Sequence, residues 1–193
     1  DEVDQWRFAY QSSSEMLGNL MRAGWNGPLY SPMLRGWIAL AGDSVYSMRF
    51  LSVLFGVLSV ALAHALLHRL LGRRVAGLTA LLVGGSPYMV WYAQEIKMYT
   101  WVPLLVLLAL YGLDRAAATA RARWWWLVLV STSLAIYSHI LAALLLPVLG
   151  LWFLLRTTRA PKAWVGGFLV AAGLLLPYLP LLRWQASFAF LAR

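Results

Sequence analysis

The chain has 193 residues, of which 62% are hydrophobic and only 12% are charged, with a formal net charge of +9. Soluble domains carry about 45–50% apolar and about 25% charged residues, so this composition predicts an integral membrane protein. The basic residues lie in short loops between apolar runs rather than in one stripe, which argues against a nucleic-acid partner.

Residues 1–43 form the first predicted unit, an outer loop in which polar and charged residues interrupt every apolar run. Ser13 or Ser14 is expected to cap a short helix that runs through Leu20. A second helix is expected over about 32–40. Apolar and aromatic side chains alternate with polar ones in this unit, which is typical of helices that lie in the membrane interface.

Residues 44–193 form the second predicted unit, a transmembrane helix bundle. Its apolar runs approach the roughly 20 residues that cross about 30 Å of hydrocarbon as a helix, and they lack the alternation of a β-barrel. Six spans are expected, over about 44–67, 75–93, 98–113, 124–138, 140–155 and 163–182. The predicted fold class is all-α and integral to the membrane: a multispanning helical bundle with amphipathic interfacial helices in the first outer loop. Because the chain opens at Asp1 without a Met or a leading hydrophobic segment, we expect a fragment of a longer protein.

The loops between these spans differ in charge. One set contains nine basic residues and a single acid, Asp114, whereas the opposite set contains seven basic and six acidic residues. The positive-inside rule places the first set in the cytoplasm. Nearly every carboxylate then faces outward, which predicts a multi-pass plasma-membrane protein with its active site on the extracytoplasmic side.

The stretch 86–99 separates two predicted spans and concentrates the polar candidates. It places Glu95 and Lys97 among aromatic residues, and an ionisable group at membrane depth is a functional-site hypothesis by default. Glu95 is interpreted as an acidic catalytic element and Lys97 as a partner for phosphate, acting as a point charge. The alternative is a structural hairpin whose charges meet water.

Three further positions are candidates for the same outer face. The acidic pair Asp1–Glu2 is either a general base or ligand for a divalent cation, or an exposed pair at a chain end. Arg49 either snorkels to the interface or binds a phosphate. His139 lies at a turn between two spans, where a lone histidine is more often structural. The topology brings Asp1–Glu2, Glu95 and His139 to one level of the membrane, as a reaction centre requires.

Several short motifs occur in a fixed order along residues 1–140. They are Asp1-Glu2, Gly27-Pro28-Leu29-Tyr30, Gly42-Asp43-Ser44, Met48-Arg49-Phe50-Leu51-Ser52, Leu54-Phe55-Gly56, Ser86-Pro87, Trp91-Tyr92-Ala93-Gln94-Glu95-Ile96-Lys97-Met98-Tyr99 and Tyr137-Ser138-His139. Together they resemble the multispanning GT-C glycosyltransferases, specifically the protein mannosyltransferase-like group that includes aminoarabinose transferases. Gly27 stands where that group has Pro. Lys97 stands where it has Arg, which keeps the charge but loses bidentate phosphate binding.

The resemblance implies transfer of a sugar from a polyprenyl-phosphate donor to an acceptor on the outer face. Carried over by motif, Asp1 would be the catalytic base with Glu2 beside it, and Glu95 would position the acceptor or an ion. The substrate-binding candidates are Lys97, Arg49, Tyr30, Tyr99 and His139, with Lys97 and Arg49 at the donor phosphate. The implied partners are the lipid bilayer and the polyprenyl-phosphate sugar, and a divalent metal ion is left open as a cofactor.

Two other functions stay open on the sequence. A non-enzymatic membrane scaffold or transporter subunit would also display outer acids. A transporter should place ionisable groups near the bilayer midplane, whereas the mid-span positions here are almost wholly apolar. A lipid-linked glycan polymerase or ligase differs in its acceptor, which these residues do not distinguish.

Overall fold

The structure, a computed structural model, describes residues 2–20, 27–119 and 121–156. These residues are helical, without a strand. The helices in chain order are α1 Glu2–Tyr10, α2 Ser13–Leu20, α3 Tyr30–Ala41, α4 Val45–Leu71, α5 Arg73–Gly84, α6 Pro87–Tyr92, α7 Trp101–Thr119, α8 Ala122–Ser138 and α9 Leu145–Arg156, with a 3-10 helix, Ile140–Leu144, between the last two.

The outer loop contains three helices among the described residues, where the sequence predicted two. The additional helix is α1, and α3 begins two residues before the predicted 32–40 segment. The predicted cap of α2 at Ser13 or Ser14 is wrong by one residue. Ser12 makes a capping box with Glu15: the Ser12 N–H donates to the Glu15 carboxylate at 2.9 Å, and the Glu15 N–H donates to Ser12 Oγ at 3.3 Å. Among Ser12, Ser13 and Ser14, only Ser12 has a Glu three residues further on, as a capping box requires, and Ser12 is therefore the cap.

The first predicted span is confirmed as a helix, α4. It begins after Ser44, whose Oγ accepts from the Ser47 N–H at 3.1 Å. It ends at Gly72, whose φ of 87° is favoured by glycine. Between Arg49 and Arg69 the sequence has no Asp, Glu, Lys or Arg. Twenty residues of helix rise about 30 Å, so these two arginines are spaced to bracket the hydrocarbon of a bilayer.

The predicted 98–113 span is confirmed as a helix, α7, with its bounds at Trp101–Thr119, and the structure corrects others. The 75–93 segment is two helices, because α5 ends at Gly84 and α6 begins afresh with Ser86 as its cap and Pro87 in its first turn. The 140–155 segment likewise divides into the 3-10 helix and α9, and α8 has 17 residues. Within the described residues, two helices are long and apolar enough to cross a membrane, α4 and α7. The sixth expected span, 163–182, lies outside the described residues.

Contacts between α4, α7 and α8 define the two ends of the bundle. Near one end the rings of Phe55 and Trp101 pack at 4.6 Å, and at the other Arg69 Nε lies 2.9 Å from the carboxylate of Asp114. Helices α4 and α7 therefore run in the same direction. Helix α8 returns along α7, since the indole of Trp101 donates to Ser138 Oγ at 3.0 Å. The turn at 93–100 and the end of α8 consequently lie at the same end of the bundle.

Candidate active site

A charged pocket of about 400 Å³ opens at the end of the bundle that carries the turn at 93–100. Its walls come from α1, the first turns of α4, the end of α6 and that turn. The lining residues are Glu2, Arg49, Trp91, Gln94, Glu95 and Lys97. Four residues predicted from separate parts of the sequence, Glu2, Arg49, Glu95 and Lys97, are thus brought together. Asp1, the predicted base, lies outside the described residues.

Glu2 fastens three parts of the pocket to one another. Its carboxylate accepts from Arg49 Nη2 at 2.7 Å and Nε at 3.3 Å, and from the backbone N–H of Ile96 at 2.8 Å. Partial burial raises the pKa of Glu2. The hydrogen bonds from Arg49 and Ile96 lower this pKa, as do the positive charges of Arg49 and Lys97. Together they outweigh the effect of burial, so the pKa of Glu2 lies below its ordinary value. A carboxylate held ionised in this way is suited to positioning the pocket walls.

The turn at 93–100 is held by hydrogen bonds from α4 and from α6. Ser52 of α4 donates its hydroxyl to the backbone carbonyl of Glu95 at 2.6 Å. The indole of Trp91 donates to Glu95 Oε1 at 2.8 Å, which fixes the direction of the carboxylate. Ile96 and Met98 are buried in the core on the inner side of the turn. The alternation of buried and half-buried residues therefore keeps Glu95 and Lys97 at the pocket.

An apolar cleft of about 750 Å³ lies beside the charged pocket, between α7 and the 3-10 helix with α9. Tyr99 and His139, both predicted to bind substrate, line this cleft and not the charged pocket. Their ring centres lie 6.4 Å apart. His139 Nδ1 accepts the N–H of Leu141 at 3.2 Å and so caps the 3-10 helix, which supports its structural reading. Burial lowers the pKa of His139.

Tyr30 lies behind the site. It is 2% exposed and packs in the same core cluster as Ile96 and Met98, beneath the turn at 93–100. Burial raises its pKa. Its predicted contact with substrate stays a prediction, and this buried position favours support of the turn over direct contact.

Two family-like motifs at opposite ends of the described chain meet directly. The N–H of Gly27 donates to the carbonyl of Ser138, and that of Leu29 donates to the carbonyl of Tyr137, both at 3.2 Å. A Cβ on residue 27 would overlap the Tyr137 carbonyl oxygen. Gly27 therefore stands in place of Pro because this contact needs both the free N–H and the missing side chain.

The sequence placed Trp91 among the aromatic residues that crowd Glu95 without predicting its hydrogen bond, and it gave Ser52 no role at the site. Trp91 and Glu95 are four residues apart, a spacing that makes side chains neighbours on a helix and signals the contact. Nothing in the sequence predicts the Ser52 hydrogen bond, which depends on how α4 packs. A second cavity of about 400 Å³ on the other side of the Glu2–Arg49 pair, lined by Trp6 and Asp43 among others, also lacks a sequence signal.

The described residues contain no group of three or more His, Cys, Asp or Glu side chains that would hold a metal ion. The carboxylates that line the charged pocket are Glu2 and Glu95, and Arg49 already engages Glu2. Within the described residues these two carboxylates alone do not make up a metal centre, and the divalent metal ion that the sequence leaves open stays a prediction.

Comparison with known proteins supplies the family. The family model described as dolichyl-phosphate-mannose-protein mannosyltransferase matches residues 26–184. The match includes Arg49, Glu95, Lys97 and His139 and begins after Glu2. No curated protein and no solved structure is significantly similar to the chain. The chain therefore belongs to the dolichyl-phosphate-mannose-protein mannosyltransferase family, a group of membrane glycosyltransferases of the GT-C type.

Proposed function

We propose that the chain moves a sugar from a polyprenyl-phosphate carrier to an acceptor on the extracytoplasmic face of the plasma membrane. Its family supports membrane glycosyltransferase chemistry with such a donor. The outward-facing site rests on the charge asymmetry of the loops. In this proposal residues 1–43 form the outer loop over the site, and residues 44–193 form the helix bundle in the bilayer.

The observation that carries the proposal is that one segment, 88–99, forms walls of both cavities. The charged pocket takes Trp91, Glu95 and Lys97 from it, and the apolar cleft takes Tyr88 and Tyr99. The ring of Tyr92 packs against both cleft tyrosines, 4.6 Å from Tyr88 and 4.5 Å from Tyr99. A polyprenyl-phosphate sugar has a charged head and an apolar tail joined at the phosphate. A polar pocket adjoining an apolar cleft matches both parts at once.

The reaction assigns one task to each polar group. The acceptor hydroxyl oxygen bonds to C1 of the sugar, the bond from C1 to the phosphate oxygen breaks, and polyprenyl phosphate leaves with the bonding electrons. Asp1 takes the proton of the acceptor, and Glu95 orients that acceptor. Lys97 and Arg49 stabilise the charge that develops on the leaving phosphate. Glu2 is a positioning residue, because its carboxylate holds Arg49 and the turn at 93–100.

The test measures release of polyprenyl phosphate from polyprenyl-phosphate mannose by the full-length protein, in membranes that supply the acceptor. Glu95→Gln should lower kcat/KM by about 100-fold, because positioned acid–base and orienting groups contribute that much. Lys97→Met should lower it by at least about 10-fold, and Lys97→Arg should retain most activity because the charge is kept.

The matched control is Glu15→Gln, the same chemical change at an exposed carboxylate in the capping box of α2. Gln serves in a capping box as Glu does, so activity should stay near wild type. Equal activity of Glu95→Gln and Glu15→Gln would remove Glu95 from the site. Absence of turnover with any polyprenyl-phosphate sugar would reject the proposed function and favour a scaffold.

A further inference from the structure

A second cluster of charge lies at the opposite end of the bundle from the charged pocket. Its arginines come from the end of α4, the start of α5, the last turns of α7 and the start of α8. They are Arg69, Arg73, Arg74, Arg115, Arg121 and Arg123. Arg69 lies twenty residues along α4 from Arg49 of the charged pocket, which is about 30 Å of helix. The cluster therefore sits at the other surface of a bilayer that α4 would span.

Two of these arginines converge on one aromatic ring. The guanidinium carbons of Arg115 and Arg123 lie 5.0 Å and 4.9 Å from the ring centre of Trp124. The edge of the same indole faces Tyr111, with ring centres 5.9 Å apart. The two guanidinium groups are consequently no more than about 10 Å from one another, close to the Debye length of about 8 Å at physiological salt. Two positive charges this close repel unless an anion lies between or beside them.

Among the described residues, no acidic side chain is paired with Arg115 or Arg123. The sequence after Glu95 contains a single acidic side chain, Asp114. The carboxylate of Asp114 is engaged by Arg69, at 2.9 Å. The remaining acids belong to the outer loop and to the turn at 93–100, at the far end of the bundle. An anion from outside the described residues is therefore the natural partner for Arg115 and Arg123.

Unused hydrogen-bond donors occur at the same place. Arg115 Nε and Trp124 Nε1 are buried, and neither has a hydrogen-bond partner among the described residues. Buried donors of this kind are costly to leave unpaired, and an acceptor normally satisfies them. Helix α8 begins here with Arg121 as its cap residue, which makes no side-chain capping bond. Uncapped helix N–H groups and two guanidinium groups both favour an acceptor with several negative oxygens.

We propose that Arg115, Arg123 and Trp124 bind the phosphate headgroup of an anionic phospholipid at this end of the bundle. The phosphate oxygens meet the two guanidinium groups, which the Trp124 ring holds close together. The apolar surfaces of α7 and α8 take the start of the acyl chains. Basic pockets between membrane helices bind lipid headgroups in this manner. The site is about 30 Å from the charged pocket and does not rest on the proposed transferase activity.

The experiment is lipid binding to the full-length protein in detergent micelles at about 0.15 M salt, where diffuse attraction is screened. Dioleoylphosphatidylglycerol is titrated against dioleoylphosphatidylcholine, and retained lipid is counted by native mass spectrometry. The wild type should prefer phosphatidylglycerol. Arg115→Gln should weaken that binding at least fivefold, about the contribution of one basic residue near a lipid phosphate. Arg115→Lys, which keeps the charge, should weaken it less.

The control is Arg73→Gln, which removes the same charge from an exposed position at the same end of the bundle. It should change binding by less than twofold, about what screening leaves of a diffuse attraction. Equal losses in Arg73→Gln and Arg115→Gln would reduce the effect to general attraction and overturn the proposal. Trp124→Leu removes the ring over which both guanidinium groups lie, so it should weaken binding about as much as Arg115→Gln, and unchanged binding would overturn the role of Trp124. Inorganic phosphate that displaces the lipid completely would identify a free-anion site and overturn the lipid assignment.

Discussion

Glu2 and Arg49, 47 residues apart in the sequence, are joined by a hydrogen-bonded ion pair of 2.7 Å. The same carboxylate accepts the backbone N–H of Ile96 at 2.8 Å. One side chain thus connects α1, α4 and the turn that carries Glu95 and Lys97. Ionisation of Glu2 should therefore control the geometry of the whole pocket.

The first prediction is an acid-dependent loss of this connection. The fold lowers the pKa of Glu2 below its ordinary value of 4.5, so as pH falls the unfolded chain takes up the proton first. The stabilisation is complete above that ordinary value and is lost as pH falls through the lower pKa of the folded state. The difference in Tm between wild type and Glu2→Gln should be constant near neutral pH and shrink below about pH 4.5.

Activity provides a second readout of Glu2. Glu2→Gln should lower kcat/KM by about 10-fold or more through displacement of the turn at 93–100, because small errors of position are costly in catalysis.

Thermal unfolding of both proteins across the pH range is the measurement of stability. A Tm difference that persists unchanged to about pH 3 would show that the ion pair does not stabilise the fold.

A second prediction concerns the contact between Gly27 and the end of α8. Gly27→Ala should destabilise the protein by about 1–3 kcal/mol, because the new Cβ overlaps the Tyr137 carbonyl oxygen and the backbone must shift. Gly36→Ala is the control, since residue 36 lies within α3 and a Cβ there meets nothing within 4 Å. That variant should gain up to about 1 kcal/mol from helix propensity. Similar unfolding midpoints for the two variants would contradict the close approach of residue 27 to α8.

A third prediction separates the partners of the Arg69–Asp114 ion pair. Asp114 is buried, whereas the side chain of Arg69 is 31% exposed. Arg69→Gln leaves a buried carboxylate without its partner and should cost about 3 kcal/mol. Asp114→Asn leaves a guanidinium that reaches water, so it should cost only about 1 kcal/mol. The double variant should resemble Asp114→Asn alone, and chemical denaturation of all four proteins in detergent closes the cycle. A larger loss in Asp114→Asn than in Arg69→Gln would reverse the argument.

Parts of this arrangement could be predicted because they follow from local chemistry. The apolar run between Ser44 and Gly72 predicts α4 from its length and from the two residues that bound it. Successive loops differ in charge and successive spans reverse direction. These two patterns predicted that Glu2, Glu95 and Lys97 share one end of the bundle. Pro87 predicts a break or kink in the 75–93 run, and the structure places the break between Gly84 and Pro87, with Ser86 as the new cap.

Other parts depend on packing between distant residues, which periodicity does not show. The partition of the predicted site into a charged pocket and an apolar cleft is one example. Tyr99 lies two residues from Lys97, yet its side chain lines the other cavity. The burial of Tyr30 beneath the turn is another, because its motif suggested a substrate contact and the core cluster gives it a structural one.

The apolar cleft yields the last prediction, on the length of the donor tail. Helix α9 packs against α7 around Val106 and Leu110. The middle of that level lies about 10 Å along α7 from its start at Trp101. Val148 lines the cleft and is 51% exposed.

Val148→Trp should obstruct the inner cleft and raise KM for a long polyprenyl-phosphate donor about 10-fold, the effect of losing roughly two buried CH₂ groups. A donor with a two-isoprene tail ends before this level, so its KM should hardly change. Val130→Trp makes the same substitution at a similarly exposed position on α8 that is not among the cleft residues, and should leave both donors unaffected. An equal effect of Val148→Trp on long and short donors would place the tail elsewhere, because only the part of the lipid that reaches α9 can sense that side chain.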